Sequence, residues 1–250
     1  MTPWRGPDGP LVALETSGPV GSVAVARDGR VAARAFLTDA RSHASRILDA
    51  LGHALGEAGI GPGDVRGVLV GSGPGSFTGV RIAAATAKGL AHALGVPLWA
   101  FSSLAAAAVT DLALPPGAGP QPWRGPPASP REGQRVVLFD ARGGRVYAAR
   151  YLVSEDALQE TRAPAATQIA EVLEGPLPGG VRFAGDGALE HRELIARSGF
   201  EVLGPPAGMA SADGLIRLLA MDPAAEPLAD PAGWEPDYLR ASNAERERGA

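Results

Sequence analysis

The stretch from Val65 to Phe101 restricts the possible folds more than any other part of this chain. Val68, Leu69 and Val70 form an uninterrupted apolar run, which reads as a buried strand over Val65–Gly71. A turn-rich segment follows, Gly71-Ser72-Gly73-Pro74-Gly75-Ser76-Phe77-Thr78-Gly79. The spacing then predicts a helix from about Thr78 to Leu94, stopped by Gly95, and a strand over Val96–Phe101. Strand, helix and strand in succession demand parallel strands joined by a helical crossover. Ser102 or Ser103 caps a third, alanine-rich helix.

The flanking segments extend this unit. Leu11–Glu15 is an apolar run ending in a carboxylate; Gly18 and Pro19 turn the chain, and Gly21–Arg27 returns. Asp28-Gly29 is a hairpin signal, with Val31–Leu37 as the next strand. Ser42 is placed to cap a helix over 42–58, in which Ile47, Leu48, Leu51 and Leu55 recur at helical spacing. The order βββ-α-β-α-β-α describes an α/β fold, a mixed sheet with helices packed on it.

The pattern breaks between Leu114 and Gln134, where seven prolines and four glycines mark a linker or exposed loop containing Trp123. Order resumes at Arg135–Asp140, again an apolar strand ending in an acid. Gly143-Gly144 turns, and Val146–Val153 returns as a strand. Further on, the patterns suggest a short helix over Thr167–Leu173, a strand over Val181–Ala184 and a helix over Ala188–Ala196. Phe200–Leu203 is extended, and a helix covers Ser211–Ala220 with Asp213 in its first turn. The expected organisation is a first lobe over 8–112, a linker over 113–134 and a second lobe over 135–250, with helix 211–221 packing back near the first lobe. The second half echoes the first, as a duplicated pair with a cleft between would.

Composition excludes several classes of chemistry. The 250 residues hold no cysteine, so disulfides, Cys-ligated zinc and thiol nucleophiles are absent. With a formal charge of -4, non-specific nucleic-acid binding is not the expected main activity. No apolar run approaches the length of a membrane span, and Met1–Pro10 lacks the apolar core of a signal peptide. The expected location is the cytoplasm. Lys88 is the single lysine.

Three readings fit the glycine-dense loop: a tight strand-to-helix turn, a phosphate or nucleotide contact, or a partner-binding loop. It lies before a helix N-terminus, where backbone amides attract anions, and Ser72, Ser76 and Thr78 add hydroxyls. It is neither a Walker A loop nor Gly-x-Gly-x-x-Gly nor a nucleophile elbow. Glu15, Thr16 and Ser17 end the first strand, where a ligand cleft or a self-satisfied turn is expected. Glu15, Asp140 and Asp186 are candidates for a converging magnesium site. His43, His53, His92 and His191 include no i,i+4 metal pair.

These motifs resemble the TsaB (YeaZ) family. Leu14-Glu15-Thr16-Ser17 with Gly21-Ser22-Val23-Ala24-Val25 is similar to its opening hairpin, and Ser42-His43-Ala44 to its first helix. Gly71 to Arg81, Ala87-Lys88-Gly89-Leu90 and Ser102-Ser103-Leu104 resemble its diagnostic block. Asp140-Ala141-Arg142-Gly143-Gly144-Arg145-Val146-Tyr147 and Pro236-Asp237-Tyr238-Leu239-Arg240 match its second-half opening and its C-terminal signature. The resemblance implies an actin/hexokinase/Hsp70-like ATPase fold (ribonuclease H-like) with two related lobes, each a mixed sheet flanked by helices. It implies a non-catalytic scaffold that binds TsaD, the transferase that carries a threonylcarbamoyl group to N6 of an adenosine in ANN-decoding tRNAs. TsaE joins through the complex, tRNA is the complex's substrate, and the chain pairs with itself when TsaD is missing.

On the same basis, the face of helices 42–58 and 78–94 is the expected partner interface, with His43, Ile47, Leu48, Leu51, Leu55, Arg81, Ala84 and Lys88. Glu15, Thr16, Ser17, Gly73, Gly75, Ser76, Thr78 and Gly79 are the candidate nucleotide contacts, and Arg142 and Arg145 the candidate tRNA contacts. No metal or cofactor is required by the chain alone, while ATP or ADP with Mg is a candidate ligand of the assembled complex. The alternative is an ATP-binding or ATP-hydrolysing enzyme of the sugar-kinase type that uses the cleft between the lobes.

Overall fold

A computed structural model describes residues 7–39, 43–113, 132–222 and 224–239. Ser42, Trp123, nearly all of the proline-rich segment and the charged tail beyond 239 lie outside the described residues. In the first lobe, β1 (Leu11–Glu15), β2 (Gly21–Arg27) and β3 (Arg30–Leu37) form an antiparallel meander. Helix α1 (His43–Glu57) leads to β4 (Gly67–Gly71), α2 (Phe77–Leu94), β5 (Leu98–Phe101) and α3 (Ser103–Ala113). Strands β4 and β5 lie parallel to β1, giving the order β3-β2-β1-β4-β5. Gly95 closes α2 in the left-handed region (φ 65°), where a side chain would be strained.

The second lobe repeats the plan. Its strands are β6 (Gly133–Asp140), β7 (Arg145–Val153), β8 (Leu158–Gln168), β9 (Arg182–Ala184) and β10 (Glu201–Val202). Read from its antiparallel edge, the order is β8-β7-β6-β9-β10, the same connectivity as in the first lobe. Short helices α4 (Ile169–Glu174), α5 (Asp186–Glu190) and α6 (Arg192–Arg197) cover one face, and α7 (Ala212–Met221) closes the fold. This is the expected pair of related lobes, each a mixed sheet flanked by helices.

The layers follow from alternation along the strands. Val12, Leu14, Val23 and Val25 face α1 and α2, while Leu11, Ala13, Ala24 and Ala26 face inward. The inward set joins α3, α7 and the inner face of the second sheet, including Val137, Phe139 and Tyr151, in one continuous core. Val136, Leu138 and Val146 form a separate core with α4, α5 and α6. Helices α3 and α7 therefore fill the space between the two sheets. Arg135 is fully buried there, and its Nη1 donates to Ala108 O at 2.6 Å.

Three expectations need correction. Residues 158–168 form an edge strand that the pattern does not announce, because this stretch is largely exposed and contains Pro164. An edge strand tolerates both features, since one side makes no ladder and one face meets water. The helix expected from Thr167 starts at Ile169, after Thr167 and Gln168 have paired with Val146 and Arg145. The helix expected over Ala188–Ala196 is two short ones, beginning at Asp186 and broken at His191.

Candidate functional site

At the C-terminal end of β1 the chain satisfies its own acid. Ser17 N donates to Glu15 Oε1 at 2.6 Å, and Ser103 Oγ donates to Oε2 at 2.7 Å. Ser103 Oγ also accepts from Gly73 N at 3.2 Å, so one hydroxyl ties the acid to the glycine-dense turn. Glu15 is 0% exposed. Burial pushes its pKa up, against the lowering effect of the bonds from Ser17 and Ser103.

The turn is pressed onto this strand end. Thr16 Oγ1 donates to Gly79 O at 2.6 Å, and Ser76 N donates to Ser17 O at 2.8 Å. A Cβ at Gly79 would stand 1.9 Å from Thr16 O, and one at Gly75 would stand 2.6 Å from Ser17 Cβ. These two glycines are therefore required for close approach of two backbones. Ser76 caps α2 by accepting from Gly79 N at 3.3 Å. Of the three readings, the packed strand-to-helix turn accounts for each of these contacts.

A C-terminal strap covers the outer side of the turn. Residues 224–239 run back over the first lobe after α7, where Trp99 Nε1 donates to Ala225 O and Leu228 N to Leu98 O. Lys88 Nζ donates to Ala232 O at 2.9 Å and sits 5.7 Å from the Trp234 ring centre. Asp237 N donates to Ser72 O at 2.8 Å, and Ser72 Oγ donates to Asp237 Oδ2 at 2.8 Å. The Arg81 guanidinium lies 3.7 Å from the Phe77 ring centre, and its Nε donates to Tyr238 OH at 3.3 Å. The segment quoted as a C-terminal signature thus becomes a clamp. Its Asp237 carboxylate takes up the Ser72 hydroxyl, one of the three that the phosphate reading of the loop would use.

The expected partner residues divide sharply. His43, Ile47, Leu51 and Leu55 point into the core beneath α1, and Ala84 is buried on α2. They are corrected from docking residues to packing residues: the apolar stripe of an amphipathic helix is the one its own sheet covers. His43 Nε2 lies 3.2 Å from Leu37 O, inside the fold. Arg81 and Lys88 are engaged by the strap. Leu48 alone of the set is an exposed apolar side chain, at 59%. Gly52 and Gly56 follow Leu48 at intervals of four, and nothing lies within 4 Å of a Cβ built at either glycine or at Gly89 on α2.

In the second lobe, Arg142 N donates to Asp140 Oδ1 at 2.8 Å, and Asp140 N donates to Asp186 Oδ2 at 3.4 Å. Burial raises Asp186 to about 6, with a smaller contribution from the Asp140 charge. Arg142 and Arg145 are exposed on the β6–β7 turn, with Arg142 in the left-handed region at φ 61°. The structure pairs Asp140 with Asp186 but leaves Glu15 sealed apart from them. Among the described residues, no three His, Cys, Asp or Glu side chains group as a metal site, so the expected convergence of the three acids does not occur.

Sequence reading gave no notice of the Arg34–Asp213 ion pair, 3.5 Å apart and buried between β3 and α7. Burial lifts Asp213 to about 6 although Arg34 pulls it down. A lone arginine in the inward alternation of β3 was the one available signal.

Comparison with known proteins follows from this geometry. The profile of the family described as "TsaD: tRNA N6-adenosine threonylcarbamoyltransferase" matches residues 37–197. The chain is 33% identical over 207 residues to the tRNA threonylcarbamoyladenosine biosynthesis protein TsaB of Escherichia coli, covering 79% of this chain and 82% of the relative. It is 28% identical over 240 residues to the Bacillus subtilis protein of the same name, covering 94% and 96%. The solved structure of YeaZ from Pseudomonas aeruginosa superimposes with a TM-score of 0.72 at 26% identity, covering 92% of this chain and 100% of that one.

Proposed function

This chain belongs to the TsaB family, and from that premise we propose that it serves tRNA threonylcarbamoyladenosine biosynthesis as a non-catalytic subunit that docks onto a TsaD-type transferase. One observation carries the reading: the outward glycines of α1 and α2. A glycine inside a helix costs about 1 kcal/mol relative to alanine. Gly52, Gly56 and Gly89 meet no neighbour within 4 Å that would forbid a side chain, so the fold itself gives no reason for them. Close approach of a partner's backbone gives one. Leu48, exposed on the same helix as Gly52 and Gly56, supplies an apolar anchor of the kind that such contacts bury.

The sealed acid supports the non-catalytic part of the reading. Glu15 has spent both carboxylate oxygens on Ser17 and Ser103, and α3 and α7 fill the space between the sheets. In this proposal the outward face of α1 and α2 meets the transferase, and two copies pair through it when the transferase is missing. TsaE joins the assembled complex, which also carries any nucleotide and magnesium. Arg142 and Arg145, exposed on one turn, add positive charge for the tRNA.

Co-purification with the TsaD-type transferase tests the docking. The wild-type chain should form a stable complex, and Leu48→Asp should weaken it at least about tenfold. Because Leu48 is exposed, its thermal midpoint should stay near wild type. A folded Leu48→Asp protein with full affinity would refute this face. A full complement of the modified nucleoside after gene deletion would refute the pathway.

A further inference from the structure

The outer face of the second sheet carries two arginines that form no ion pair among the described residues. Arg150 on β7 and Arg162 on β8 are direct cross-strand partners, which places both side chains on one face. Like charges in that position repel, and a guanidinium cannot lose its proton. Neither arginine makes an ion pair with a carboxylate among the described residues. Both head groups reach the Gly175–Pro176 segment. Arg150 Nη1 donates to Pro176 O at 2.8 Å, and a Cβ at the adjoining Gly175 would lie 3.6 Å from Arg162 Nη1.

Local structure holds the pair in place. The ladder slips between Arg150 and Tyr151, which pair with Arg162 and Glu160, so Thr161 is the extra residue of a bulge. Thr161 Oγ1 accepts from Arg150 Nε at 3.2 Å and donates to Arg150 O at 3.1 Å. A bulge re-aims side chains, and here it points a hydroxyl and a guanidinium at each other. Beside them is a hollow of about 380 Å³ lined by Gln134, Arg150, Thr161, Pro176, Leu177 and Pro178. Gln134 Oε1 is buried with no hydrogen-bond partner, an expensive state for an amide oxygen.

We propose that Arg150, which lines this hollow, and Arg162, which reaches its edge at Gly175, form an oxyanion site that takes a phosphate group. Two guanidiniums approaching the same segment supply several N–H donors to a tetrahedral anion. Gln134 completes the shell, either by accepting from a protonated phosphate oxygen or, with its amide rotated by half a turn, by donating to the anion. The site lies on the outer face, away from the α1–α2 surface, and does not depend on transferase docking. The phosphate has two possible sources, a small phosphorylated molecule or the backbone of an RNA.

The purified chain can be titrated calorimetrically with pyrophosphate at fixed ionic strength, and by fluorescence anisotropy with a short unstructured RNA at several salt concentrations. Arg162→Gln is the informative variant, because that side chain is exposed and makes no hydrogen bond that holds the fold. Saturable pyrophosphate binding that weakens at least about tenfold in Arg162→Gln, without RNA binding, assigns the site to a small phosphorylated ligand. RNA binding whose log–log salt slope falls by about one in the variant assigns it to an RNA backbone phosphate. No saturable binding of either probe by the wild-type chain, or unchanged affinity in Arg162→Gln, overturns the proposal.

Discussion

Glu15 and Asp140 occupy the same station in the two lobes, yet they live in opposite surroundings. Each ends the first strand of its sheet, and each accepts from the backbone N–H two residues on, Ser17 for one and Arg142 for the other. Glu15 is then sealed by the glycine-dense turn and by Ser103, while Asp140 stays exposed beside Asp186. The local turn is common property of an acid followed by a free amide. What differs is the cover. The first lobe lays a strand-to-helix turn and a C-terminal strap over this region, and the second lobe leaves its turn to solvent.

The sharpest way to break this contrast is to add one carbon on each side of it. Gly71→Ala would place a Cβ 1.9 Å from Glu15 Oε2, so it should cost about 3 kcal/mol or more and leave little folded protein. Gly143→Ala meets nothing within 4 Å and pays only for its left-handed backbone (φ 63°), about 1 kcal/mol. Urea unfolding of both variants measures the gap, and equal losses would mean that the Glu15 region can relax as freely as the open turn.

Removing the acids themselves should give a smaller difference. Glu15→Ala strands the Ser17 N–H and the Ser103 hydroxyl in the interior and should cost about 2–3 kcal/mol. Asp140→Ala leaves the exposed Arg142 N–H to water and should change stability by less than about 1 kcal/mol. Comparison of thermal midpoints checks this, and a costlier Asp140→Ala would show that the second-lobe turn is the more structured of the two.

A third difference is in pH. Asp186 titrates near 6 in the fold, above its ordinary 3.8, so the folded state holds the proton more tightly than the unfolded chain. Its contribution is most favourable below about 4, falls as pH rises from 4 to 6 by at most about 1.4 kcal/mol per unit, and then levels off. Asp186→Asn should flatten the decline in unfolding free energy measured at pH 4, 5 and 6. Glu15→Gln should flatten another part of it, since burial raises that group in the same direction. An unaltered slope in Asp186→Asn would place this carboxylate in water.

Much of the first lobe was legible. The meander, the helical crossover and the turn that joins β4 to α2 follow from apolar runs and glycine placement, signals that need no partner to be read. The second lobe was harder. β8 is polar and contains Pro164, and only its pairing with β7 makes it a strand. The glycine-dense junction between strand and helix was legible at the candidate site, but its cover was not. The contact between Ser72 and Asp237 spans 165 positions, and no local pattern announces a pairing at that distance. The apolar stripe of α1 was visible, and which surface it would serve was not.

By itself, the sequence determined the meander and the helical crossover of the first lobe, because periodicity, capping residues and glycines act over a few neighbouring positions. It also excluded thiol chemistry outright, since no cysteine is present. Tertiary structure alone decided which acid is sealed and which is open, and which side of α1 faces water. It also decided that Arg150 and Arg162 would stand opposite each other across β7 and β8. The reason is that burial and charge balance depend on what packs against a residue, and those neighbours come from distant parts of the chain.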